Sequence, residues 1–100
     1  MIKISEDNSS KKDNKYFAYM LICSDNTIYS GFSTDLQKRV DTHNRGKGAK
    51  YTRSRLPVRL AYWEEFSEKS DALKREYAFK KMKRSQKLLL IENFNYRVES

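Results

Sequence analysis

After a polar start the chain turns abruptly apolar: Tyr16–Cys23, YFAYMLIC, is an unbroken run of eight residues. Continuous apolar character over so short a length suits a strand covered on both faces better than an alternating, half-wet one. Ser24, Asp25 and Asn26 supply turn chemistry, and Thr27–Phe32 reads as a second short strand, so the two predict a hairpin. A helical period follows. Ser33 or Thr34 is placed to cap a helix beginning near Asp35, whose carboxylate suits the positive end of the dipole, and Gly46 marks its stop near Asn44–Arg45. Gly46–Leu56 reads as a basic loop, and Pro57 introduces a third strand, Val58–Phe66. Ser67 or Ser70 opens a long helix to about Lys83, and Ser85 caps a last one, Gln86–Phe94. The order β-β-α-β-α-α predicts one α+β domain over residues 16–95 with a small, mostly antiparallel sheet, built as two layers. Residues 1–15, nearly without apolar content after Ile4, read as a disordered tail, and 96–100 as a polar end.

The helical periods carry the first hint of chemistry. Measured from Leu36 at roughly 100° per residue, Val40 falls near 40°, His43 near −20° and Arg39 near −60°. Two polar side chains therefore lie on or beside the apolar edge, while Gln37, Lys38 and Asp41 face away. An arginine stem packing on the core with its head in water would explain Arg39, and a satisfied hydrogen bond would explain His43. In the long helix Leu73, Tyr77, Ala72 and Phe79 define an apolar arc with Glu76 in its middle. A carboxylate there needs compensation, by a bound cation or by an ion pair with Arg39 or Arg59. Lys80 and Lys83 fall in the same arc.

Tyr19 and Tyr29 stand in adjacent strands of the predicted hairpin. They share a face only if paired residue numbers sum to an even value, because side chains alternate. A two-residue turn at Asp25–Asn26 makes the sum odd; a three-residue loop pairing Cys23 with Thr27, or a bulge, makes it even. A shared tyrosine site thus requires one of the latter, and Gly31 either marks such a bulge or lets a phosphate backbone approach closely.

Charge narrows the partner. Lys and Arg number 21 against 13 Asp and Glu, a formal net charge of +8 and a pI near 9.6, which favours nucleic acid ahead of an anionic membrane. The single cysteine, Cys23, excludes an intrachain disulfide, and the lone His43 leaves no Cys/His cluster for zinc. No apolar run approaches the roughly 20 residues of a membrane span, and no secretory h-region is apparent, so a cytoplasmic location is expected.

A tyrosine, then Tyr-x-Gly ten residues on, then arginine and histidine on the next helix, then glutamate on a later one: this ordered set resembles the GIY-YIG nuclease family, small stand-alone bacterial members above all. Phe17-Ala18-Tyr19 stands where the family has Gly-Ile-Tyr, and Tyr29-Ser30-Gly31 where it has Tyr-Ile-Gly. The resemblance implies a three-stranded antiparallel sheet flanked by helices, and metal-dependent phosphodiester hydrolysis. It implies Tyr29 as general base, Tyr19 as helper or water-positioner, Arg39 on a non-bridging phosphate oxygen, and Glu76 as ligand to one divalent cation, Mg²⁺ or Mn²⁺. His43 would relay a proton or orient a tyrosine. The first-motif glycine is absent, with Phe17 in its place, and no residue clearly matches the family's late asparagine, although Asn93 and Asn95 lie near.

The stretch RGKGAKYTRSR holds Arg45, Lys47, Lys50, Arg53 and Arg55 with no acid, plus Tyr51. Following the Arg39/His43 helix, it is expected to grip phosphates on either side of a cleavage point, with Tyr51 stacking on an unpaired base. DNA is expected ahead of RNA, with branched or damaged DNA among the targets. A non-catalytic nucleic-acid-binding module on the same fold is the alternative, and a protein-interaction domain the third. Oligomeric state is not legible.

Overall fold

The structure, a computed structural model, describes residues 14–99. The first apolar run is strand β1, Tyr16–Ile22, and it lies in the middle of a three-stranded sheet. Strands β2, Ile28–Ser33, and β3, Arg59–Phe66, flank it antiparallel on either side. The central position explains the unbroken apolar pattern: both faces of β1 are covered, and Ala18, Tyr19, Met20 and Leu21 are buried. Helix α1, Leu36–Asn44, lies on one face, where Tyr19, Leu21, Cys23 and Val58 meet Tyr29, Leu36 and Val40. The basic loop after it contains an unexpected short helix, α2, Lys50–Arg53. Helices α3, Lys69–Lys81, and α4, Arg84–Glu99, cover the other face. Ala18, Met20, Tyr62, Phe79 and Ile91 pack there. The expectation of two layers is corrected to three, because a strand apolar on both sides leaves two faces to cover.

The hairpin loop has three residues. The Cys23 N–H donates to the Thr27 carbonyl (2.9 Å) and the Asn26 N–H to the Cys23 carbonyl (2.9 Å). Asn26 takes φ 68°, the left-handed region its short amide tolerates. The Asp25 carboxylate accepts from the Thr27 N–H and hydroxyl, at 3.1 and 2.6 Å. The resulting register pairs Tyr19 with Gly31 and Leu21 with Tyr29, so the two tyrosines share a face. Gly31 marks no bulge; the irregularity falls in the β1–β3 pairing, between Met20 and Leu21.

The caps differ from expectation in detail. Asp35 itself caps α1, its carboxylate accepting from the Lys38 N–H at 3.1 Å. The Ser33 hydroxyl serves one step earlier, accepting from the Asp35 N–H at 2.9 Å. Gly46, with φ 78°, follows the C-cap Arg45 as expected. Glu68 precedes α3 without a side-chain cap bond, so neither Ser67 nor Ser70 has that role. Gln86 rather than Ser85 serves the start of α4, accepting from the Lys83 N–H at 2.8 Å. That helix runs past Phe94 to Glu99, with no Gly or Pro to stop it. The expected tail, 1–15, lies outside the described residues except for its last two.

Helix α3 corrects one sequence argument. Ala72 and Phe79 are fully buried, whereas Leu73 and Tyr77 are 41% and 62% exposed. The ring of Phe79 meets Tyr62 edge-on at 5.9 Å, and this side of the helix faces the sheet. Glu76 therefore stands at the margin of the buried face, its side chain 19% exposed.

Candidate active site

Strands β1 and β2 present Tyr19 and Tyr29 on one face of the sheet, and α1 lays Arg39 and His43 across that face. Tyr19 Oη is 3.2 Å from His43 Nε2, and the Tyr29 ring meets the His43 ring edge-on at 5.4 Å. The other imidazole nitrogen, Nδ1, is 2.8 Å from Thr52 Oγ1. Thr52 spends its one hydroxyl proton on the Ala49 carbonyl, at 2.9 Å. Its oxygen must then accept from Nδ1–H, which leaves Nε2 to accept from the Tyr19 hydroxyl; this network assigns the tautomer. Burial, with the Arg39 charge adding, pushes the His43 pKa below its ordinary 6.5, so the ring is neutral.

Tyr19 and His43 are both buried, and two glycines make room for them. A Cβ on Gly31 would stand 2.5 Å from Tyr19 Oη and 2.6 Å from Cζ, and one on Gly48 would collide with the His43 ring. Gly31 is thus required by the Tyr19 ring that lies across it. Burial raises the Tyr19 phenol above its ordinary pKa of 10; the hydrogen bond and charge of Arg39 oppose this, while Tyr29 and Glu76 add to it. Arg39 and Glu76 therefore both act on the same phenol, although Glu76 comes from the helix layer on the opposite face. The Nε of Arg39 is buried and, among the described residues, has no hydrogen-bond partner. Glu76 pairs with Lys80 at 3.0 Å, rather than with Arg39 or Arg59.

Residues 15–89 match the family model of the GIY-YIG catalytic domain. The chain belongs to the GIY-YIG family. Among similar proteins, the UPF0213 protein YsiG of Lactococcus lactis subsp. lactis is 57% identical over 81 residues, covering 80% of this chain and 78% of the relative. The UPF0213 protein YazA of Bacillus subtilis is 53% identical over 79 residues, with 79% and 80% covered. Two solution NMR structures share the fold. The protein EF2693 from E. faecalis has a TM-score of 0.56 at 38% identity, covering 85% of this chain and 91% of its own. The UPF0213 protein BH0048 from Bacillus halodurans has 0.51 at 40%, covering 78% and 83%.

The basic loop of this GIY-YIG domain is divided in its duties. Arg45, Lys47, Lys50 and Arg53 are exposed. Arg55 is engaged within the fold: its Nε donates to Asp25 at 3.1 Å and its Nη1 to the Tyr51 carbonyl at 2.8 Å, tying the loop to the hairpin. Its guanidinium also lies 4.0 Å over the Tyr51 ring. Tyr51 stacks on Tyr29 with centroids 5.9 Å apart, so stacking of Tyr51 on a base competes with these two partners. Thr52, which the sequence does not single out, sits inside this loop, and only its closeness in chain to His43 offers a signal.

Among the described residues no group of three or more His, Cys, Asp and Glu side chains could hold a metal ion. Glu76 stands as the carboxylate candidate at this site. That donor fits Mg²⁺ of one kind: an ion that keeps most of its waters and takes one carboxylate plus substrate phosphates, rather than a closed protein cage.

Proposed function

We propose that this GIY-YIG protein is a divalent-metal-dependent endonuclease that hydrolyses phosphodiester bonds in DNA. The observation that carries this reading is the buried Nε of Arg39, without a hydrogen-bond partner among the described residues, beside the Tyr19–His43 pair. A buried donor left unsatisfied by the fold is costly, and a planar guanidinium matches the oxygens of a phosphate. On this reading Tyr29, less buried than Tyr19, takes the proton of the attacking water after its own hydroxyl proton has passed to solvent. Tyr19 keeps its own proton, because burial raises its pKa, and fixes the position of water and phosphate through that hydroxyl. Neutral His43 accepts from Tyr19 and orients it rather than carrying charge. Arg39 stabilises the negative charge that builds on the non-bridging oxygens. Glu76 would hold the divalent cation, which when bound supplies Lewis-acid stabilisation to the leaving oxygen. The exposed Arg45, Lys47, Lys50 and Arg53 hold flanking phosphates. A cytoplasmic setting belongs to the same reading, as do branched or damaged DNA targets.

One observation favours a second reading, a non-catalytic nucleic-acid-binding module: the candidate metal carboxylate is already neutralised by Lys80. A cleavage assay separates the two. Single-stranded, duplex and branched DNA, and RNA, are incubated with Mg²⁺ or Mn²⁺ and wild type, Glu76→Ala or Tyr29→Phe. Metal-dependent cutting by wild type, lost in both variants, is the expected result. Salt-sensitive binding by all three proteins with no cutting would replace the enzyme with the binding module.

A further inference from the structure

Strand β2, at the edge of the sheet, carries a polar atom that the fold does not use. Ser30 Oγ is buried and has no hydrogen-bond partner among the described residues. By strand alternation it faces the α3–α4 side, away from Tyr29. It lines a groove of about 250 Å³ that wraps the β2 edge together with Tyr29, Tyr51, Lys80 and Lys87. A second groove of about 230 Å³ shares Tyr51 and Lys87 and adds Thr27 and Arg84. Among the described residues, cations line both grooves and no carboxylate does. Lys80 has Glu76 at 3.0 Å, and Arg84 gives one N–H to the Asn26 carbonyl at 2.7 Å. Among the described residues its other guanidinium donors take no further bond. Lys87 is half-buried, and burial, with the charge of Lys80 adding, depresses its ammonium pKa. Converging cations and an unpaired hydroxyl cost the free protein stability, and a bound anion offsets both.

We infer that this edge is the track of the DNA strand's sugar–phosphate backbone beyond the cleaved bond: from Tyr29 it passes the Ser30 hydroxyl and Lys80 to Lys87 and Arg84. The exposed cations of residues 45–53 then hold the strand on the other side of Tyr51, so the cut bond lies between two basic surfaces. The inference rests on the nuclease reading for its Tyr29 end. It adds phosphate-binding cations on α3 and α4, which the basic loop alone does not supply.

Binding of labelled single-stranded and duplex DNA, followed by anisotropy across a salt series, tests the track. Removing one cation that neutralises a phosphate lowers the slope of log affinity against log salt by about 0.7 on single strands and about 0.9 on duplex. Lys87→Gln is expected to show that decrement on at least one of the two DNAs while melting like wild type. Ser30→Ala is expected to weaken binding about 2- to 10-fold with the slope unchanged. Lys74→Gln removes the same charge from an exposed position of α3 outside both grooves and should leave the slope alone. A wild-type slope for Lys87→Gln, or an equal drop for Lys74→Gln, overturns the track while leaving the nuclease reading to stand on wild-type cleavage. Wild-type protein without salt-sensitive DNA binding removes both.

Discussion

The Tyr19 hydroxyl stands 3.2 Å from His43 Nε2, and the two residues, 24 apart in the chain, are both buried. Each satisfies the other, which is the condition for placing polar groups inside so small a domain. The pair is in turn held from behind by Thr52 at His43 Nδ1.

Thr52→Val tests that anchor. The change keeps the shape and removes the acceptor, leaving a buried Nδ1–H unsatisfied at a cost of about 1–3 kcal/mol. Urea unfolding measures the loss. Imidazole nitrogen shifts by NMR should show the Nδ1–H tautomer losing its dominance, and Thr52→Ser should restore it. Unchanged nitrogen signals in Thr52→Val would rule the anchor out.

Glycine substitutions probe the same pair from outside. Gly31→Ala pushes a methyl into the Tyr19 ring, and Gly48→Ala pushes one into His43. Overpacking of this kind costs about 1–3 kcal/mol, read as a lower urea midpoint. Tyr19 is on the central strand and has little freedom to yield, so Gly31→Ala should also lose cleavage. A variant with wild-type stability and activity would mean that the ring moves aside freely.

The family resemblance joins these residues into one site, and two periodicities in the sequence carry their direction. The helical period puts Arg39 and His43 on or beside the apolar edge; strand alternation leaves the tyrosines on one face or two according to loop length, and the three-residue loop decides for one. Thr52 is not legible, because a loop has no period to say where a hydroxyl points. The buried side of α3 escapes for a different reason. Leu73 and Tyr77 offer as much apolar surface as Ala72 and Phe79, and only the docking of Phe79 on Tyr62 decides which side faces in. Gly31 suggests a bulge or an approach for phosphate, since nothing local reveals a ring from the neighbouring strand lying across it.

Stability should fall on acidification. The folded His43 pKa lies below 6.5, whereas the unfolded chain titrates near that value. Above it both states hold a neutral ring. As pH falls through it, the unfolded state takes up the proton first, so folding weakens until the folded pKa is also passed. Urea midpoints from about pH 7.5 to about pH 5.5 should decline for wild type. His43→Gln should start lower and decline less. Parallel declines in the two proteins would show that another group is responsible.

Arg39 separates a structural role from a chemical one. If its stem merely covered the core, Arg39→Gln would cost stability and leave cleavage alone. Among the described residues its Nε has no hydrogen-bond partner; the change gives up the Arg39 hydrogen bond to Tyr19, worth about 1 kcal/mol of stability, and the larger loss should fall on the reaction. Removing one preorganised donor to a developing oxyanion costs about 10²–10³ in kcat, and that is the loss expected for Arg39→Gln. Arg39→Lys keeps the charge without the planar fork and should fall between the two. The order wild type, lysine, glutamine in metal-dependent cleavage, with all three proteins folded at the assay temperature, is the result that assigns the guanidinium to the phosphate. Equal cleavage by all three would return Arg39 to the core.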